Sequence, residues 1–222
     1  MYYSCRIRLS TNPRSFTDGI SQRCERRLRF PVFPLAALSL LVGCGSEPVV
    51  APTSFTNYNA KEGTFACEYP ESWEAKGGGK RGPVWASFSS GPALIHIRAS
   101  SAGSLMSDAM GGRSADAGAP APQYAPVHKV HVDGIKMAEE QFNSYTELPG
   151  SPTVIECELG PARLSEFTAA TTFGSAVHGY RATIIGHDKG VNVLCTCPES
   201  DWLALKPAFD HTLATLERGT PQ

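Results

Sequence analysis

The sequence contains none of the short motifs that mark a familiar catalytic centre. It has no Gly-x-Ser-x-Gly elbow, no phosphate loop ending in Gly-Lys-Ser/Thr, no His-Glu-x-x-His, and no dinucleotide fingerprint set between a strand and a helix. No basic stripe interleaved with aromatics appears, which argues against nucleic-acid binding. The chain has no internal repeat, and no apolar run approaches the roughly 20 residues that a membrane-spanning helix needs. Net charge is also nearly absent, at −1 over 222 residues. That neutrality is an average over two unlike parts.

A short apolar run is present near the start. Phe30 to Val42 is almost wholly apolar and follows the basic patch Arg23-Cys24-Glu25-Arg26-Arg27-Leu28-Arg29. About 13 apolar residues behind a positive segment suit the core of an export signal, because the positive end stays on the cytoplasmic side. The run stops at Leu41-Val42-Gly43-Cys44. This resembles the lipobox of bacterial lipoproteins. The resemblance implies cleavage between Gly43 and Cys44, with Cys44 acylated as the new N-terminus and several acyl chains holding the protein to a membrane. The alternatives are an ordinary export signal or a buried core segment with Cys44 as an incidental thiol. The 29 residues ahead of the run are long for such a signal. An over-extended start over residues 1–20 would explain them. Arg26-Arg27 suggests twin-arginine export, but the rest of that motif is missing.

Removing residues 1–44 changes the charge. They carry seven basic and two acidic side chains, which leaves 13 basic and 19 acidic, or about −6. Cysteine counting fits an exported chain. Of seven cysteines, Cys67, Cys157, Cys195 and Cys197 remain beyond Cys44. Four thiols allow two disulfides in three pairings, or one disulfide with two buried thiols. Cys195 and Cys197 sit two apart on an expected strand, so they share a face and are poorly placed to bond each other. A metal site built on Cys-x-Cys and scattered histidines is a weak reading, and no cofactor is expected.

The expected organisation is a signal over residues 1–43, a lipidated and flexible tether over 44–56, and one domain over 57–218, long enough for a real core. Phe65, Cys67 and Tyr69 alternate in a strand ended by Pro70. Glu71-Ser72-Trp73-Glu74 reads as a turn and Gly77-Gly78-Gly79 as a loop tip. Val84–Ser89 and Ala93–Ala99 read as a hairpin about Ser90-Gly91-Pro92. A short helix is expected over Ser101–Gly111, and residues 112–126, rich in Ala, Gly and Pro, as a mobile loop. His128–Asp133 alternates like a strand. Ile135–Tyr145 fits strand or helix, and Val154–Leu159 and Ala162–Thr168 read as extended. Tyr180–Gly186 and Val191–Cys197 form a second hairpin about His187-Asp188-Lys189-Gly190. Trp202, Leu205, Phe209, Leu213 and Leu216 then recur at helical spacing. Pro207 places the main helix start near itself, after a short turn over Glu199–Leu205, and Gly219 ends it.

A strand ending Tyr69-Pro70-x-x-Trp73, short antiparallel strands, a long hairpin and a terminal amphipathic helix follow one another in this order. The pattern resembles the PsbP-like family over residues 57–218. The resemblance implies an α+β fold, an antiparallel sheet sandwiched by helices, behind a disordered N-terminal signal and tether. It also implies non-catalytic work, since photosynthetic PsbP proteins are subunits of a membrane complex. No binding residue of that family can be matched here.

The remaining polar groups each have a structural reading. His128 and His131, three apart on a strand, would face opposite ways. His187, Asp188 and Lys189 suit a turn. Glu139, Glu140, Glu156 and Glu158 read as solvated. Arg163, Ser165, Glu166 and Arg181 are the polar residues of most interest, with Arg181 expected to pair with Glu166 on the neighbouring strand. Trp73 and Trp202 read as packing residues that could line a groove. The expected function is a membrane-anchored, non-catalytic binding module of the cell envelope with a protein partner. A small-ligand carrier and an envelope hydrolase are the alternatives.

Overall fold

The computed structural model describes residues 49–79, 82–101, 124–186 and 188–221, all within the unit Ser46–Gln222. Among the described residues there are ten strands and three α-helices. β1 (Phe55–Asn59) and β2 (Ala66–Pro70) pair as an antiparallel hairpin. β3 (Glu74–Gly78), β4 (Val84–Ser90), β5 (Ala93–Ser101), β6 (Asn143–Glu147), β7 (Thr153–Ile155), β8 (Ala162–Ala170), β9 (Ala176–Ile185) and β10 (Lys189–Pro198) build an antiparallel sheet. Its order is β3-β4-β5-β10-β9-β8-β6, with β7 also on β8. The helices are α1 (Ala125–Asp133), α2 (Ile135–Gln141) and α3 (Trp202–Ala214).

The two-residue period of the strands gives the sheet two unlike faces. One face carries Phe88, Ile95, Ile97, Val191, Val193, Cys195, Tyr180, Ala182 and Ile184, all buried. α3 and the β1–β2 hairpin cover it with Phe65, Cys67, Trp202, Leu205 and Phe209. The other face carries Arg163, Ser165, Phe167, Arg181 and Thr183, and α1 lies across β8 and β9 there. The molecule is therefore an antiparallel sheet with helices on both sides, as the sequence led us to expect.

Several local expectations change. His128–Asp133 is helical, because α1 turns Val127 and His131 inward together while Val132 faces solvent. Ile135–Tyr145 divides into α2 and the start of β6. Gly77 and Gly78 belong to β3 rather than a loop tip. A Cβ on Gly77 would collide with the Tyr58 phenol, and one on Gly78 with the Trp85 indole, so bare backbone is needed under those rings. α3 starts at Trp202 and runs through Pro207. Both Pro207 and Leu203, whose carbonyl loses its helical partner there, lie on the solvent-exposed side, where the missing bond is least costly. Gly219 is not a helix stop. α3 ends five residues earlier, and Gly219 lets the C-terminal segment pass close to Phe65 and Gly63. β1 also takes in Phe55 and Thr56, the last residues of the expected tether. The expected helix after Ser101 and most of the loop over 112–126 lie outside the described residues. Ala125 and Pro126 open α1, and Ser101 ends β5.

Candidate functional site

The polar face of β8 and β9, closed by α1, holds the densest cluster of functional groups. Ser165 and Arg181 are direct cross-strand partners, as are Arg163 and Thr183. Helical spacing brings His131 down between them. The His131 ring is fully buried, with Nε2 2.9 Å from Ser165 Oγ and Nδ1 3.0 Å from Thr183 Oγ1. Thr183 Oγ1 donates onward to Asn192 Oδ1 at 3.3 Å. Burial lowers the His131 pKa to about 3, helped by the positive fields of Arg181, His128 and Arg163. The imidazole is therefore neutral at ordinary pH, and its two nitrogens take one donor and one acceptor role.

Ser165 and His131 stand at the spacing of a nucleophile and its base, but two features deny them that role. No substrate can reach a ring with no exposed surface, and the group behind the imidazole is a threonine rather than a carboxylate. The contact instead satisfies buried polar atoms. Arg181 belongs to the same layer. It donates to Tyr145 Oη at 3.1 Å, to the His131 carbonyl at 2.6 Å and to Glu147 Oε1 at 2.5 Å. The expected Arg181–Glu166 pair does not form. Glu166 stands opposite Tyr180, and Arg181 opposite Ser165, so the two side chains leave opposite faces of the sheet. Nor do His128 and His131 diverge as strand residues would, since three residues along a helix leaves both on the sheet side.

Glu166 works on the other face. Its Oε1 lies 2.9 Å from His178 Nε2, while Glu199 Oε2 lies 3.0 Å from His178 Nδ1. The His178 ring stacks on Trp202 at 3.9 Å, and Lys206 Nζ sits 4.6 Å above the Tyr180 ring. Two carboxylates, an imidazole and an indole thus fasten the start of α3 to β8 and β9. No sequence motif announced His178, which lies two residues outside the expected strand. Its even-numbered alternation with Tyr180 and Ala182 is the signal that could have found it.

The other expected sites are dispersed. Trp73 and Trp202 are buried around Phe209, at 6.1 and 5.9 Å between ring centroids, as packing residues. Glu139, Glu140, Glu156 and Glu158 are exposed. Asp188, Lys189, Glu158 and Arg218 border a shallow cleft of ≈ 170 Å³, where Arg218 lies 3.5 Å from Asp188. His187, Gly43 and Cys44 lie outside the described residues. Cys67, Cys195 and Cys197 are buried and Cys157 half-buried, all as free thiols, with Cys157 Sγ donating to the Leu216 carbonyl at 3.4 Å. Burial pushes the Cys67 and Cys197 thiols up to about 12 and Cys195 higher still. Among the described residues no three His, Cys, Asp or Glu side chains converge on a metal position.

A helix-flanked antiparallel sheet whose last long hairpin leads into a terminal amphipathic helix defines a PsbP-like α+β fold. The solved structure of the cyanobacterial PsbP protein CyanoP from Synechocystis is similar to it, with a TM-score of 0.50 over 80% of this chain and 98% of that one. Sequence identity is 11%, so the likeness is one of fold. LpqN of Mycobacterium tuberculosis, described as involved in cell envelope biogenesis, matches more loosely, with a TM-score of 0.48, 10% identity and coverage of 76% of this chain and 93% of that one. No family pattern matches the sequence. No curated protein matches it either.

Proposed function

We propose that this chain is a lipid-anchored binding domain of the bacterial cell envelope that works without catalysis. The observation that carries the reading is the engagement of its acid–base groups in internal bonds. Ser165–His131 is sealed under α1, and His178 is held between Glu166 and Glu199 against Trp202. A hydrolase needs such groups aimed at open space. The anchor comes from Leu41-Val42-Gly43-Cys44 behind a basic patch and an apolar run. The mature charge of about −6 fits an exported protein that avoids nucleic acid. A PsbP-like fold agrees with a subunit role outside the cytoplasm. The small-ligand alternative is weaker, because a cleft of ≈ 170 Å³ edged by charged side chains falls below the usual range of about 300–1,000 Å³.

Cell fractionation with intact-mass measurement tests the anchor. The native protein should partition with membranes at the mass of residues 44–222 plus about three acyl chains, and Cys44→Ala should be released unacylated. An unacylated native protein would remove the anchor. Cross-linking in intact cells tests the binding role: a recurring envelope protein should be captured, and repeated recovery of nothing above background would count against it.

A further inference from the structure

We propose that the β8–β9 turn, with Phe173 at its tip, inserts into the surface of the bilayer to which the chain is anchored. This rests on the anchored reading above. Phe173 is 97% exposed, the most exposed large apolar side chain among the described residues. Its turn is closed by its own bonds. The Thr171 carbonyl accepts from the Gly174 N–H at 2.9 Å, and the Thr171 N–H donates to the Ser175 carbonyl at 2.9 Å. The Ser175 N–H donates to Thr171 Oγ1 at 3.1 Å, and Gly174 completes the turn at φ 83°. Polar backbone groups that already have partners cost less to bring into an apolar medium. Residues 167–177 carry no charged side chain. A bonded, uncharged turn that presents an aromatic ring suits the lipid–water interface.

The independent observation is where the chain from Cys44 enters the domain. β1 starts at Phe55, opposite Pro70 at the end of β2. The Ser54 carbonyl accepts from the Glu71 N–H at 3.1 Å, and β3 opens at Glu74. Glu74 pairs with Ser89, beside the β4–β5 turn. The ladders carry this end across the sheet. Leu94 pairs with Thr196, Pro198 with Val177, and Ala170 with Ala176 at the Phe173 turn. The entering chain and Phe173 therefore share one end of the sheet. The opposite end, at the β9–β10 turn, carries Glu158, Asp188, Lys189 and Arg218, which suit water. Eleven residues lead from Cys44 to Phe55, a reach of at most about 40 Å. One buried ring is too weak to recruit a free protein, but it suffices to orient one already held at the membrane. Glu71, Glu199 and Asp201 at this end favour zwitterionic over anionic lipid.

Phe173→Trp places a fluorescent reporter on the tip. The full chain is purified from membranes, its acyl mass is measured, and it is reconstituted into phosphatidylcholine vesicles with plain or brominated acyl chains. Bromine quenches an indole that enters the lipid. The wild-type protein, with Trp73 and Trp202 buried, supplies the background. We expect the added emission to shift to the blue in plain vesicles and to be lost in brominated ones. Thr172→Trp, also exposed on the turn, is the second reporter should the first variant not fold. Emission of the added indole that is the same in both lipids, from protein of acylated mass, overturns the insertion and leaves the anchor standing. An unacylated mass overturns the anchor, and the insertion with it.

Discussion

His131 makes the stability of this domain depend on pH in a calculable direction. Its folded-state pKa is lowered to about 3, first by burial and then by Arg181, His128 and Arg163, whereas an unfolded imidazole takes its proton near 6.5. Between these values the unfolded chain binds a proton that the folded chain refuses. Stability from this residue is therefore intact above about pH 6.5 and falls as the pH drops through the window. The slope is about 1.4 kcal/mol per pH unit, so moving from pH 6.5 to 4.5 costs about 2–3 kcal/mol. For a domain of this size that is a fall of about 5–10 °C in melting temperature. His131→Leu isolates the effect. It strands the Ser165 hydroxyl, now 2.9 Å from the ring, while Thr183 keeps its bond to Asn192, and should cost about 1–3 kcal/mol at pH 7. The same variant no longer carries the proton linkage. Its stability curve should be lower but flatter between pH 6.5 and 4.5. His96 and His128 are also lowered by burial, but they tilt both curves equally, so the difference in slope reports His131. Urea denaturation at half-unit pH steps measures it. Parallel curves for the two proteins would refute the neutral, buried imidazole.

Three further perturbations address other parts of the structure. Glu147→Gln removes the charge opposite Arg181, both side chains being largely buried, and should cost about 3 kcal/mol by chemical denaturation. Gly179→Ala places a methyl group against the Cys195 carbonyl and the Phe167 ring. It should destabilise by about 1–3 kcal/mol, whereas Gly174→Ala, in open space though at φ +83, should cost less. Alkylation of the native protein at pH 8 should leave Cys67, Cys195 and Cys197 unmodified, since burial raises all three pKa values. After denaturation without reductant, four modified thiols among Cys67, Cys157, Cys195 and Cys197 would match the free thiols of the structure, and fewer would reveal disulfides.

The sheet core was legible because its strands report burial by simple alternation. Val191, Val193, Cys195 and Cys197 point one way and meet Ile97 and Ile95 across the ladder. α1 was not legible because its outer surface carries Val130 and Val132, β-branched residues that made a two-residue period out of a helix. Reading it as a strand separated His128 from His131, and the polar cluster could not be assembled. Arg163, Ser165 and Arg181 were visible as interesting residues. Their partners were not, because Arg181 reaches Glu147 on β6, a pairing set by tertiary packing rather than by neighbouring sequence. Pro207 misplaced the start of α3 for a related reason. A helix tolerates proline where the freed carbonyl faces water, and only the fold reveals which side that is.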